Sequence, residues 1–322
     1  MAIPAAFSGK LALPVIGSPM FIVSGPELVI AQCLSGIIGA FPALNARGAG
    51  EFESWLVRIE QALAEARAAG PSRVIAPYAV NQIVHKSNIR LEEDIDIVVR
   101  HKVPLVITSL SSPEKVVKAV HGYGGLVFHD VASIRHAQKA LEVGVDGLVL
   151  VAAGAGGHGG SLNPIAFVGE IRRFYSGTII LSGTIARGEA ILAAEALGAD
   201  LAYIGTRFIA TTEAMASDGH KAMIVASKAT DVFFSASIDG APANWLTKSQ
   251  TAAGVDLDAL RTTLPGKIVA AGESRKRWKD IWTAGHGVGN IASVLGTAEL
   301  CRQLKAEYAA ARRAIAPLAA AR

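Results

Sequence analysis

Cysteine and charge are what this sequence has least of. Its 322 residues hold two cysteines, Cys33 and Cys301, far apart and in no paired spacing. That excludes a disulfide scaffold and a thiolate metal site, and reads as two reduced, buried thiols. Charged residues are 18% against 51% hydrophobic, an apolar composition for a soluble chain. Yet no run of 18 or more uncharged apolar residues occurs, so no membrane-spanning helix is expected. Metal-ligand spacing such as HExxH, a Gly-x-Ser-x-Gly elbow and a P-loop are all missing, and no metal is expected. The net charge of +4 comes from scattered Lys and Arg. The one local cluster is Arg275, Lys276, Arg277 and Lys279, which is no nucleic-acid-binding stripe. A mild positive bias suits a small anionic substrate or a phosphate-bearing cofactor. No basic residue precedes Lys10, so the chain shows no signal-peptide layout and a cytoplasmic location is expected.

What is present is alternation. Short β-rich apolar runs fall at 14–17, 36–41, 74–80, 104–108, 125–129, 146–152, 178–182 and 200–205, with helical stretches such as Glu51–Ala69 and Ile185–Leu197 between them. Eight strand–helix units predict parallel pairing with right-handed crossovers and an α/β fold, a (β/α)₈ TIM barrel. An open doubly wound sheet is the competing architecture. Strands covered on both faces also account for the apolar composition. Gly144 and Gly198 read as left-handed helix caps. The organisation expected is a barrel over 1–212, a mostly helical substrate-side cap over 213–290, and a C-terminal helix in 291–322 that Pro317 ends.

In a parallel barrel, function gathers at the C-terminal strand ends. Here those ends read Gly17-Ser18-Pro19-Met20, Ala79-Val80-Asn81, His129-Asp130, Ala153–Gly160, Ser182-Gly183-Thr184 and Gly205-Thr206-Arg207. Small residues after the last two strands, ahead of helix N-termini, make an anion cradle from backbone N–H groups. Thr184 and Thr206 add hydroxyls; Arg207 faces either the phosphate or a neighbouring helix. Gly154-x-Gly156-x-x-Gly159 matches the dinucleotide fingerprint by letter only. It follows the sixth strand, Pro164 sits where its helix should be under way, and the next strand lacks the acidic residue. The glycines instead let backbone approach a flat ring, with His158 projecting from the loop. A lone histidine is more often structural, but glycines on both sides give this one nothing to pack against. His158 is therefore the candidate acid–base or anion-stabilising group. His129 reads as a supporting group at the fifth strand end. His286 falls in the irregular region expected to face the site. Trp245, Lys248 and Trp282 either line a substrate pocket or serve packing and surface.

These segments resemble the nitronate monooxygenase (2-nitropropane dioxygenase-like) family. The resemblance lies in Gly17-Ser18-Pro19-Met20, Ala-Gly-Gly-His at 155–158, Ser182-Gly183-Thr184, Ile-Gly-Thr-Arg-Phe at 204–208 and Trp-Thr-Ala-Gly at 282–285. It covers roughly residues 11–290 and implies non-covalent FMN in the barrel mouth. Pro19 and Met20 would approach the ring, Asn81 would bond its edge and Gly157 would lie beside it. Ser182, Gly183, Thr184, Gly205 and Thr206 would hold the phosphate, with His158 catalytic. The implied reaction is oxidation of an alkyl nitronate, with electrons passing to flavin and then to O₂. The implied partners are thus an anionic or nitro substrate and O₂, with no nucleic acid or membrane, and a homodimer left open. Two positions depart from the pattern. Asp130 stands where quinone-reductase members resemble one another in having Lys, and His286 where monooxygenase members often have Gln. The alternatives are an FMN-dependent NAD(P)H reductase of quinones or enoyl thioesters, a flavin-free phosphate-sugar isomerase or aldolase for which only Asp130 is a candidate strand-end group, and a non-catalytic phospholigand barrel.

Overall fold

The computed structural model describes residues 2–236, 238, 240–258 and 280–320. The basic cluster at Arg275, Lys276, Arg277 and Lys279 lies outside the described residues. Six strands come first: β1 (Val15–Gly17), β2 (Gly39–Pro42), β3 (Tyr78–Val84), β4 (Leu105–Leu110), β5 (Leu126–Val131) and β6 (Gly147–Val151). A two-residue strand β7 (Gly157–His158) leaves the series, and β8 (Thr178–Ser182) and β9 (Leu201–Ile204) complete it. Around the sheet the order is β1-β9-β8-β6-β5-β4-β3-β2, all parallel. The ends of that order meet: Gly17 N–H donates to Ile38 O at 2.8 Å and Ile38 N–H to Val15 O at 3.0 Å. The sheet is a closed barrel, and the open doubly wound alternative is excluded.

The crossovers are α1 (Pro26–Leu34), α2 (Glu51–Ala69), α3 (Leu91–Arg100), α4 (Glu114–His121), α5 (Ile134–Glu142), α6 (Pro164–Arg172) and α7 (Gly188–Leu197). In α2, Phe52, Leu56, Ile59 and Leu63 share one face and are all buried. Each contributes roughly 1.5–3 kcal/mol by leaving water. Ser133 caps α5 by accepting from His136 N–H at 3.2 Å. Gly144 (φ 81°) and Gly198 (φ 105°) take the left-handed conformations that follow α5 and α7.

Alternation along each strand separates two cores. Ile16, Ala79, Leu105, Ile107, Phe128, Val149, Ile180, Leu201 and Tyr203 point into the barrel. Val80, Val106, Val127, Val131, Leu148, Leu150, Ile179 and Leu181 face the helices. Phe7 plugs the bottom, edge-on to Phe128 with centroids 6.3 Å apart.

Three strands outrun the sequence reading; β4 runs two residues past Thr108, to Leu110. β3 continues three residues past Asn81 because Ile83 and Val84 still pair with Ser109 and Leu110 of β4. β5 runs on to Val131. After the short helix α8 (Thr206–Ile209) come α9 (Asp218–Val225), β10 (Val232–Ser235), β11 (Ala243–Leu246) and α10 (Thr247–Ala252). The cap thus carries strands among its helices: β10, β11 and β7 form an antiparallel sheet. The C-terminal helix, Thr297–Ala320, runs past Pro317. A proline there removes the bond to the carbonyl four residues back without ending the helix.

Candidate active site

Inward-facing residues change character at the mouth. Below it the barrel is apolar; at the strand ends stand Asn81, Ser109, Asp130 and Ser182. The residues expected to form a cradle lie on loops after two neighbouring strands. Gly183 (φ 124°) and Thr184 (φ 64°) follow β8, and Gly205-Thr206 follow β9. A Cβ at Gly183 would stand 2.8 Å from Ala153 O, so only glycine fits that turn. Among the described residues, the backbone N–H groups of Gly183, Thr184, Gly205 and Thr206 donate to no protein acceptor. Four such donors on two adjacent loops are the chemistry of an anion site. Thr184 is solvent-exposed and lines a cleft with Ala186, Arg187 and Asn290.

Met20 is brought to this edge by β1. Ser18 N–H donates to Ile204 O at 2.9 Å, and a Cβ at Gly205 would lie 3.6 Å from Met20 Sδ. The loop that holds Pro19 and Met20 is pinned by Asn45, which no sequence signal singled out. Its Nδ2 donates to Met20 O (2.9 Å) and Ser24 O (2.8 Å), and its Oδ1 accepts from Ile22 N–H (2.8 Å). Ile22 is thereby held at φ 57°.

The glycine loop works differently from its sequence reading. Gly154 and Gly156 meet protein rather than leaving room for a ring. A Cβ at Gly156 would stand 2.7 Å from Gly285 N, and one at Gly285 would stand 2.5 Å from Gly154 O. His286 N–H donates to Gly154 O at 3.0 Å, and Gly285 N–H donates to Thr206 Oγ1 at 2.8 Å. The segment 284–286 is therefore sewn onto both the glycine loop and the cradle. Gly157 (φ 74°) is the open one; nothing approaches its Cβ position closer than Thr283 Oγ1 at 4.0 Å. Gly157 and His158 pair with Asn244 and Ala243 of β11, and Asn244 Nδ2 donates to Ala155 O at 2.6 Å. His158 is thus exposed on a backbone fixed by a sheet, not on a free loop.

Across the mouth, Asn81 Nδ2 donates to Ile107 O (3.0 Å) and to Ser109 Oγ (2.8 Å). Ser109 Oγ donates to Asp130 Oδ2 at 2.5 Å. Asp130 Oδ1 and the Tyr203 hydroxyl are buried with no hydrogen-bond partner among the described residues. Burial pushes the Asp130 carboxyl up to about 7, against the opposing bond from Ser109. Burial, then the Asp130 charge, raises the Tyr203 phenol. Ser109 and Tyr203 escaped the sequence reading because register, not type, turns them inward.

Other candidates are drawn away. His129 faces the helix layer, bonded to Thr108 Oγ1 at 2.8 Å, and burial, then His136, lowers it to about 4. Arg207 is buried and turns to Ser293 O at 3.5 Å, away from the cradle. Trp245 is fully buried in the cap's own core, and Lys248 pairs with Asp231 at 3.0 Å. Trp282 stacks on His220 at 4.8 Å; burial holds that histidine down to about 4. Among the described residues, no group of three His, Cys, Asp or Glu side chains is placed to hold a metal ion.

The molecule is a closed (β/α)₈ barrel with four unpartnered backbone N–H groups after its last two strands and a histidine at its mouth, among the described residues. A family model described as nitronate monooxygenase matches residues 55–307. The nitronate monooxygenase of Paraburkholderia phytofirmans is 28% identical, over 91% of this chain and 92% of that one. A hydroxy-methyl-oxo-octahydroindene-carboxyl-CoA dehydrogenase of Rhodococcus jostii is 23% identical, over 71% of this chain and 61% of its own length. Among solved structures, nitroalkane oxidase from Streptomyces ansochromogenes superposes with a TM-score of 0.80 at 21% identity, covering 96% of this chain and all of that one (100%). FabK from Thermotoga maritima superposes at 0.76 with 21% identity, covering 95% and 96%. These two likenesses establish the fold. The chain belongs to the nitronate monooxygenase family, and is a flavin-dependent oxidoreductase.

Proposed function

We propose that the protein is an FMN-dependent nitronate monooxygenase, oxidising alkyl nitronates with O₂. The observation that carries the reading is the set of four unpartnered backbone N–H groups at Gly183, Thr184, Gly205 and Thr206, beside a rigidly mounted His158. The cradle fits a phosphate monoester such as that of FMN. Ser182 would support the cradle from β8, Asn81 would bond the ring edge, and Pro19, Met20 and Gly157 would flank the ring. FMN would supply one-electron chemistry between the substrate and O₂.

The chain's own residues do the rest. A ring N–H of His158 would donate to a nitronate oxygen and stabilise its negative charge. With a neutral nitroalkane, an unprotonated ring nitrogen of His158 takes the α-proton instead. The β7–β11 pairing fixes the backbone of His158, so that positioning costs little on binding. We take residues 213–290 as the substrate-side cap, a homodimer as the assembly to be tested, and the cytoplasm as the location. No helix among the described residues is long and apolar enough to cross a membrane.

The test is a visible spectrum of purified protein after FMN reconstitution, followed by anaerobic additions. Bleaching with a nitronate alone supports the proposal. Bleaching only with NADH makes the protein a reductase, and no flavin binding overturns the cofactor assignment.

A further inference from the structure

Around the barrel the strands run β1, β9, β8, β6, β5, β4, β3, β2. In a ring of eight, β4 stands opposite β9 and β3 opposite β8. The hydrogen-bonded chain Asn81–Ser109–Asp130 on β3, β4 and β5 therefore faces the phosphate cradle across the mouth. A ligand seated in the cradle that carries a planar heteroaromatic ring across the opening reaches this chain with the ring's far edge. The chain is built for such an edge. Asn81 Nδ2 spends its N–H groups on Ile107 O and Ser109 Oγ, and the Ser109 hydroxyl in turn donates to one oxygen only, Asp130 Oδ2. The other oxygen, Oδ1, is buried and has no partner among the described residues. A buried polar atom left without a partner is costly, so its partner is expected to arrive with a ligand.

We propose that Asp130 is a binding residue for the flavin ring, donating a hydrogen bond from a neutral carboxyl at Oδ1 to an acceptor on the ring's polar edge, with Ser109 and Asn81 as its positioning residues. The proposal rests on the flavin reading above. Oδ2 already accepts from Ser109, so the hydrogen belongs on Oδ1. The surroundings keep the group neutral. β6 presents Val149 and β8 presents Ile180 and Ser182 inward; β3 and β4 present Asn81 and Ser109, which do not titrate. β9 presents the Tyr203 phenol, whose own ionisation is suppressed beside Asp130. Among the described residues no lysine, arginine or histidine contributes to the Asp130 shift, and burial lifts the carboxyl to about 7. Asp130 is thus protonated below neutrality and ionised above it. An ionised Oδ1 would face the ring's acceptor with a lone pair, and the bond would become repulsion.

The experiment is titration of apoprotein with FMN, followed by fluorescence quenching, from about pH 5.5 to about pH 8.5, an interval spanning the shifted carboxyl. Wild type should lose about tenfold in affinity as Asp130 ionises, a loss equivalent to about 1.4 kcal/mol. Asp130→Asn keeps a donor and the volume but not the titration. It should bind with the wild-type low-pH affinity and lack that loss. The difference between the two profiles removes the titration of the FMN phosphate and every other titration that the two proteins share. Ser109→Ala, which removes the bond that favours the ionised carboxyl, should raise the pH at which affinity is lost. Circular dichroism checks that each variant is folded. Parallel profiles for wild type and Asp130→Asn, in folded proteins that bind FMN, overturn the proposal alone. Absence of FMN binding by wild type at every pH overturns the flavin reading and the proposal together.

Discussion

The barrel and its cap are held together by different physics. In the barrel, each strand pairs with a neighbour one unit away in sequence, apart from the closure of β1 on β9. Its side chains fill two cores set by simple alternation. The cap is held by contacts between distant segments: β11 on β7, and Gly285 against Gly154 and Gly156. Its grip depends on missing side chains as much as on present ones. The first kind of order tolerates change by spreading it; the second concentrates it at a few atoms. His158 sits where the two meet.

Removing His158 should break function while leaving both regions standing, and it carries the largest expected effect. His158→Ala should lower kcat/KM for a nitronate by about 10²–10⁴-fold, the range for loss of a positioned acid–base group. FMN content and thermal stability should stay near wild type, because the exposed ring buries little. Steady-state kinetics beside the flavin spectrum would check this. A loss confined to FMN content would make His158 a cofactor residue instead.

Gly285→Ala attacks the seam directly. The new Cβ would stand 2.5 Å from Gly154 O and 3.0 Å from Gly156 N, both backbone atoms with no freedom to yield. Overpacking of this kind costs about 1–3 kcal/mol. The segment 284–286 should lift, pulling Gly285 N–H off Thr206 Oγ1. Trp fluorescence should report cap loosening at a lower denaturant concentration than the far-ultraviolet signal of the barrel. Coincident transitions at an unchanged midpoint would show that the seam is softer than its geometry implies.

Acid separates the regions less strongly. His220 stacks on Trp282 in the cap and His129 sits in the barrel's helix layer, and burial holds each down to about 4 from 6.5. Both are neutral when folded. As pH falls through 6.5 the unfolded chain takes up protons that the folded chain refuses, so stability is lost between 6.5 and about 4. His220→Phe keeps the stack and removes the titration. It should recover about 2 kcal/mol at the acid end of that window, read from Trp fluorescence in denaturant titrations at several pH values. No change in the acid limb would place the loss elsewhere.

The same contrast decides how much was legible in the sequence. Every barrel strand was readable, because apolar runs and glycine caps are local signals. Asn81 and Asp130 were found at strand ends, although β3 and β5 run past them. Ser109 and Tyr203 were missed: only the register of β4 and β9 turns them inward. The seam was misread more deeply. Gly154 and Gly156 suggested room for a flat ring, and the room is taken by residues more than a hundred positions later. No local pattern announces that Gly285 and Gly156 need each other, or that Asn244 holds Ala155. Asn45 is likewise ordinary in sequence, and its role exists only because the Met20 loop folds over it.

Lys248 gives the smallest expected effect. The sequence left it between a substrate-pocket role and solvated surface. The structure pairs it with Asp231 at 3.0 Å, with Lys248 42% and Asp231 24% exposed in their side chains. Exposed pairs of this kind contribute about 0–1 kcal/mol, because solvent screens the attraction and ordering two long side chains costs entropy. The Lys248 ammonium also donates to Ala226 O, which ties it to the end of α9 and not to the mouth. Lys248→Ala should therefore leave KM for an anionic nitronate unchanged and shift cap stability by less than about 1 kcal/mol. A several-fold rise in KM at low salt, lost at high salt, would instead mean that this lysine steers the substrate from a distance. The cap would then contribute charge to the site as well as shape.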